Sequence, residues 1–234
     1  MIEVRPFSSL GHAKFSWLDT RHHFSFANYH DPKRDGFGRL LVWNDDAIAA
    51  GTGFDPHPHR DMEIITYVRS GAITHRDSLG NEGRTEAGDV QVMHAGTGIV
   101  HAEYNKEAVD TSLFQIWILP DRRGVKPGWE ARVFPKSSDG TLEVFASGRP
   151  QDEGSAALPL YADAALFAGT LQKGQTITQT LGTDRAAYLV PARGSVSVNG
   201  VALHERDGAA IADEPVLEIT ASEECELVLV EVAR

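Results

Sequence analysis

The sequence predicts an all-β protein built as two antiparallel β-barrel (jelly-roll) domains packed together. Three observations predict it. Short apolar runs rich in β-branched and aromatic residues recur between clusters of Gly, Pro, Asn and Asp. No sustained 3.6-residue periodicity competes with them. One stretch of the chain also echoes another in its second half, so a single module is present twice.

The runs, in order, are Leu40 to Trp43, Ile64 to Val68, Ala72 to His75, Val90 to Met93 and Leu113 to Leu119, each too short for a helix. Turn signals separate them at Leu79 to Gly83, Glu86 to Asp89 and Asn199-Gly200, the spacing of an antiparallel sandwich or barrel. A helix is expected only locally, over residues 157–165. The echo pairs Tyr67-Val68-Arg69-Ser70-Gly71 with Tyr188-Leu189-Val190-Pro191-Ala192-Arg193-Gly194, each followed by a strand, a turn and an acid-Gly segment. Residues 1–130 are therefore assigned to an N-terminal domain and 131–234 to a C-terminal one. Asp121 to about Gly154, rich in Gly, Pro, Ser and charge, serves as the connection.

Composition excludes several functions. The chain has 234 residues, with 22 Lys and Arg against 33 Asp and Glu, and the net charge is −5 over residues 1–120 and −6 over 121–234. A uniformly acidic surface repels phosphate backbones, so no nucleic-acid partner is expected. No stretch approaches the ~20 apolar residues of a membrane-spanning helix, and the N-terminus lacks a signal-type apolar core. The single cysteine, Cys225, lies in an apolar run and reads as a buried, inert strand thiol. A cytoplasmic monomer is the expectation.

Chemistry concentrates in two dipeptide-spaced pairs. Side chains at i and i+2 of a strand share a face, so His57 and His59 present two imidazoles together, and His101 and Glu103 repeat the arrangement. An isolated His-x-His is commonly no more than a polar strand surface. The second pair, and the turns Gly51-Thr52-Gly53 and Gly96-Thr97-Gly98 that start both strands, shift the reading to a metal site. Three imidazole nitrogens and a carboxylate oxygen suit one divalent transition metal with a position left open. Glu63 is expected behind the ligands, orienting them. His94 reads as a turn histidine, His75 as structural, and His22 and His23 as closing the barrel. His12, His30 and His204 read as solvated loop residues. Gly96-Thr97-Gly98 lacks the Lys-Ser/Thr of a phosphate loop. Anchored on Tyr67 and Tyr188, the His57-Pro58-His59 triplet falls on Thr178-Gln179-Thr180, so the second module has lost the ligands.

With these residues in place, the chain resembles the pirin family of the cupin superfamily, and most closely its bacterial, quercetinase-like branch. Gly51-x₅-His57-Pro58-His59-x₃-Glu63 followed by Gly71 resembles the first cupin motif, and Gly88 to Met93 running on to His101 the second. Phe24 to Tyr29, His59 to Val68, His75 to Asn81 and Ala95 to Glu103 resemble pirin signatures closely. The resemblance runs from about residue 8 to 120 and is loose beyond Asp121.

It implies a bicupin with metal only in the N-terminal half, held by His57, His59, His101 and Glu103, and with Glu63 outside the metal shell. It further implies a quercetin 2,3-dioxygenase-like oxidoreductase that opens a flavonol with O₂ and releases carbon monoxide. In that reading Glu103 takes the substrate proton, and Phe54, Ile64, Met93, Phe114 and Ile116 pack the planar rings. Iron(II) is the favoured metal, with manganese, nickel, cobalt, copper and zinc as alternatives. The competing reading is a non-enzymatic, redox-sensing metal module that regulates a protein partner. It calls for a large exposed patch near the metal.

Overall fold

The computed structural model describes residues 1–134, 140–182 and 184–233, and the expected runs all form strands. Each half contributes a seven-stranded and a four-stranded sheet. The N-terminal seven-stranded sheet runs in the order Gly128–Arg132, Val90–His94, Glu63–Ser70, Thr111–Ile118, Leu40–Ile48, Leu18–His22, Gly11–Lys14. Its four-stranded companion is Gly53–His59, Ile99–Tyr104, Ala72–Asp77, Glu82–Glu86. The sheets face one another as jelly-roll sandwiches and do not close into the expected barrels, because the edges of each pair are left unjoined.

The duplication is visible strand by strand. Glu63–Ser70 with Tyr67, and Arg185–Arg193 with Tyr188, are each third in their seven-stranded sheets. Gly53–His59 and Thr176–Thr180 each begin a four-stranded sheet, so Thr178 and Thr180 stand where the N-terminal half has histidines. Asn199 and Gly200 both take positive φ in the hairpin from Val196–Val198 to Val201–Leu203, as an Asn-Gly two-residue turn requires.

Two local expectations fail, and one pairing was not foreseen. Residues 157–165 form no helix; they run through the short strand Leu158–Pro159 into Ala164–Leu171, because their alanines pack between sheets. The segment read as a connection contains two strands, Gly128–Arg132 and Glu143–Ser147, whose Gly, Ser and charged neighbours hide them. The first strand, Ile2–Arg5, crosses over to pair with Gly208–Ala212 in the C-terminal sheet.

Alternation along the strands sorts the interior. Ile65, Tyr67, Val90, Val92, Trp43, Phe114 and Ile116 face the C-terminal half and join Tyr188, Val228 and Val230 in one apolar core between the two large sheets. The opposite faces look into the N-terminal sandwich, whose apolar contents are split into two small clusters. The matching space in the C-terminal half holds one continuous cluster. The gap between the two small clusters is where the polar site lies.

The halves are also tied electrostatically. Fully buried Asp45 receives Arg69 Nη2 through Oδ1 at 2.5 Å and Arg206 Nε through Oδ2 at 2.5 Å. Asp45→Asn leaves two guanidinium groups facing a neutral amide. The urea midpoint should fall by the equivalent of up to ~3–5 kcal/mol, reduced to the extent that Arg206 reaches solvent. An unchanged midpoint would show that the bridge contributes nothing.

Candidate metal centre

Gly53–His59 and Ile99–Tyr104 pair antiparallel, and His101 lies directly opposite His57. That register, with the i, i+2 rule, brings the three imidazoles to one point. Their ring centroids are 4.5 Å (His57–His101), 4.8 Å (His57–His59) and 5.0 Å (His59–His101) apart. One nitrogen from each lies within 4.8 Å of the others. His57 Nδ1 is 2.7 Å from the Asp55 carbonyl oxygen, which fixes the proton on Nδ1 and leaves Nε2 as the ligand atom. His101 Nε2 is 3.1 Å from His57 Nε2, and His59 Nε2 is buried with no partner. Three Nε2 lone pairs converging on one point, one of them orphaned and buried, fit a divalent metal with nitrogen bonds of about 2.0–2.1 Å.

Burial lowers the His59 pKa to about 4, with the facing His101 and His57 rings adding to it and Glu103 opposing. Burial likewise takes His101 to about 3, aided by His57 and His75 and opposed by Asp77. Both rings therefore stay neutral, as ligands must, well below neutral pH.

Glu103 does not share the mutually close group of three, though its charge acts on the His59 ring. A register shift between His101 and Glu103 moves its partner from Asp55 to Phe54. Its Oε1 accepts from Gln91 Nε2 at 2.5 Å and Thr66 Oγ1 at 3.0 Å, and its Oε2 from Gln115 Nε2 at 2.8 Å. These donors are one row of the large sheet, since the strand registers align His22, Asn44, Gln115, Thr66 and Gln91 across five strands. The row is oriented from outside, Gln91 Oε1 accepting from Thr85 Oγ1 and Trp129 Nε1, and Gln115 Oε1 from Trp117 Nε1.

Two other residues land differently from the expectation. His75, read as structural, sits 3.3 Å from His101 Nδ1 through its own Nδ1, while its Nε2 meets Asp77 Oδ2 at 3.1 Å. It stacks on Trp129 with rings 6° from parallel, so it orients a ligand. His75 aligns with Glu103 on the neighbouring strand, a register that is not readable from sequence. Glu63 does not stand behind the metal. The chain turns between Gly53–His59 and Glu63–Ser70, with Asp61 at φ 48, so the two strands belong to different sheets. Glu63 instead bonds His94 Nδ1 at 2.6 Å and the Tyr161 amide at 3.0 Å, facing the C-terminal half.

A cavity of about 910 Å³ opens beside His57 and His59. Of the residues expected to pack planar rings, Phe54 lines it, with Trp17, Phe26 and Trp117 as further aromatic walls. Ile64 and Met93 are consumed in the small cluster with Ala95 and Ile99, and Phe114 and Ile116 face the other sheet.

Two outcomes follow from this geometry. His75→Ala should weaken metal binding about 10–100-fold in a chelator competition, the usual cost of losing an orienting partner; unaltered affinity would remove His75 from the site. Between about pH 7.5 and 5.5, three ordinary imidazoles with pKa about 6.5 would lose roughly a thousandfold in affinity to proton competition. Because His59 and His101 take protons only near 4 and 3, the measured fall should be far shallower, and a thousandfold fall contradicts the assignment.

Comparison with known proteins shows the family. The pirin family model matches residues 3–118, and the model described as the quercetinase C-terminal cupin domain matches residues 144–232. A Pseudomonas aeruginosa protein provisionally named as a quercetin 2,3-dioxygenase is 64% identical over all of both chains. The quercetin 2,3-dioxygenase of Escherichia coli is 41% identical over 98% of this chain and 97% of its own. The crystal structure of the bacterial pirin YhhW from Escherichia coli in complex with nickel(II) superposes with a TM-score of 0.93, at 40% identity, over 100% of this chain and 99% of that one. The histidine triad thus sits in a scaffold whose two halves both match family models, and the chain belongs to the pirin family.

Proposed function

We propose that this chain is a metal-dependent dioxygenase that opens the central heterocycle of a flavonol with O₂ and releases carbon monoxide. The observation that carries the reading is the convergence of three histidines, two of which, His57 and His59, open onto a cavity whose walls include Trp17, Phe26, Phe54 and Trp117. The quercetin 2,3-dioxygenase name borne by the Escherichia coli relative, and this chain's own match to the quercetinase C-terminal cupin domain, support it. His57, His59 and His101 would hold the metal, with Glu103 as the fourth ligand. Bound there, a divalent ion supplies Lewis acidity to the flavonol 3-hydroxyl and an open position for a second reactant. Iron(II) is the proposed ion; the nickel held by the Escherichia coli pirin is a second candidate.

The chain's own residues do the rest. Glu103 Oε1 already accepts two hydrogen bonds and Oε2 only one, so Oε2 is the oxygen free to take the 3-hydroxyl proton. Gln115 holds that oxygen, and Thr66 and Gln91 hold Oε1, so the carboxylate is oriented before the reaction begins. Phe54 and Trp17, packed edge to face at 5.1 Å, offer a flat wall to the rings and keep water out. The alternative, a regulatory binding module, called for a contiguous exposed patch near the metal. Among the described residues the large exposed apolar side chains are scattered, and only Phe15 lines the cavity.

The test is an aerobic assay of protein reconstituted separately with each metal, following loss of flavonol absorbance and carbon monoxide release. Turnover with at least one metal is expected, and its absence with all of them rejects the enzyme reading. His59→Ala should abolish both metal uptake and turnover. Glu103→Gln should keep much of the metal but lose ~10²–10⁴-fold in rate, the range for a missing general base. It should also lower the melting temperature, because its new amide donor must face a Gln or Thr donor. Equal loss of metal in the two variants would remove Glu103 as the base.

A further inference from the structure

Among the described residues, the buried side-chain atoms without a hydrogen-bond partner include three that line the cavity: His59 Nε2, Thr20 Oγ1 and Asp46 Oδ1. The first has its partner in the metal. The other two belong to none of the groups assigned above.

Asp46 lies on Leu40–Ile48, paired with Thr20 on one side and Leu113 on the other. It is 2% exposed. It stands one pleat repeat, about 6.6–6.8 Å, along its strand from Asn44 and hence from the row that holds Glu103. That row is internally spent: Asn44 Oδ1 is 2.8 Å from His22 Nδ1, and Gln115 serves Glu103 and Trp117. Asp45, the next residue, shows how this strand treats a structural carboxylate, with an arginine on each oxygen. Asp46 has no such partner. Thr20 is near enough to favour its charged form but is not aligned as a hydrogen bond. Leaving a carboxyl oxygen buried and unpaired costs the fold stability, so its role is to be sought in what enters the cavity.

We propose that Asp46, seconded by Thr20, is the anchor for a phenolic hydroxyl of the bound ligand, at a polar point of the cavity separate from the metal ligands. The inference rests on the flavonol reading and sharpens it. The site selects a planar aromatic body with a chelating end at the histidines and a hydroxyl at the far end. Trp17, Phe26, Phe54 and Trp117 line the same cavity as Asp46, Thr20, His57 and His59, and supply the apolar aromatic surface such a body needs. Burial pushes the Asp46 carboxyl up to about 7, with Asp45 and Glu103 acting in the same direction and Thr20 and Arg69 against it. Near neutral pH it is thus present both as acid and as carboxylate. A phenol pairs with either, donating to the carboxylate or accepting from the acid.

The test is anaerobic calorimetric titration of the full-length, metal-loaded protein with two probes. Quercetin carries the chelating end and remote phenols, whereas 3-hydroxyflavone carries the chelating end alone. The wild type should bind quercetin more tightly. Asp46→Ala should lose tenfold or more for quercetin and nothing for 3-hydroxyflavone, and its melting temperature should be unchanged or higher. Asp46→Asn, nearly the same shape and still able to hydrogen-bond, should fall between them and provides the same reading if the alanine variant fails to fold. Equal losses for both probes, no loss for either, or a quercetin loss accompanied by a lowered melting temperature overturns the proposal. Without O₂ there is no turnover, so the two readings separate. Intact probe selection with no aerobic carbon monoxide release rejects the dioxygenase and keeps the Asp46 assignment. Carbon monoxide release with probe selection unaltered in Asp46→Ala does the reverse.

Discussion

The structure depends on one electrostatic arrangement: three imidazoles and one carboxylate are gathered inside a β-sandwich, and hydrogen bonds from the chain itself orient them. His57 is fixed by a backbone carbonyl, His101 by His75 and Asp77, and Glu103 by Gln91, Thr66 and Gln115. Each of these buried groups would be costly alone. Linked, they satisfy one another and leave a single unmet demand, at His59 Nε2, which a cation meets.

That arrangement explains why two halves of one duplicated fold differ inside. In the C-terminal sandwich the small sheet packs on the large one through a continuous apolar cluster around Leu217, Ile219 and Leu229. In the N-terminal sandwich the corresponding space carries polar rows, and the apolar residues are confined to clusters around Ile48 and Ile64. The metal-bearing half gives up core to house chemistry. The shared apolar core between the large sheets, reinforced by Arg69, Asp45 and Arg206, lets the C-terminal half support it.

Much of this was legible in the sequence because strand periodicity and turn chemistry are local. The duplication, the loss of ligands at Thr178 and Thr180, and the pairing of His57 with His59 all follow from spacing along one strand. What could not be read depends on which strand lies beside which. The row from His22 to Gln91 draws one residue from each of five strands, and no single stretch of sequence hints at it. The same limit misplaced Phe114 and Ile116, whose partners are in the other half, and Glu63, which a turn moves to a different sheet. His75 went unrecognised because its neighbour in space is 26 residues away in the chain.

X-ray absorption at the metal edge of the loaded protein tests the arrangement most directly, since it counts the ligands without reference to any substrate. The account predicts a first shell containing three imidazole nitrogens at about 2.0–2.1 Å, and no bound metal at the edge in His59→Ala. A shell with fewer than three imidazoles, or one unaltered by that substitution, would place the metal elsewhere and contradict it.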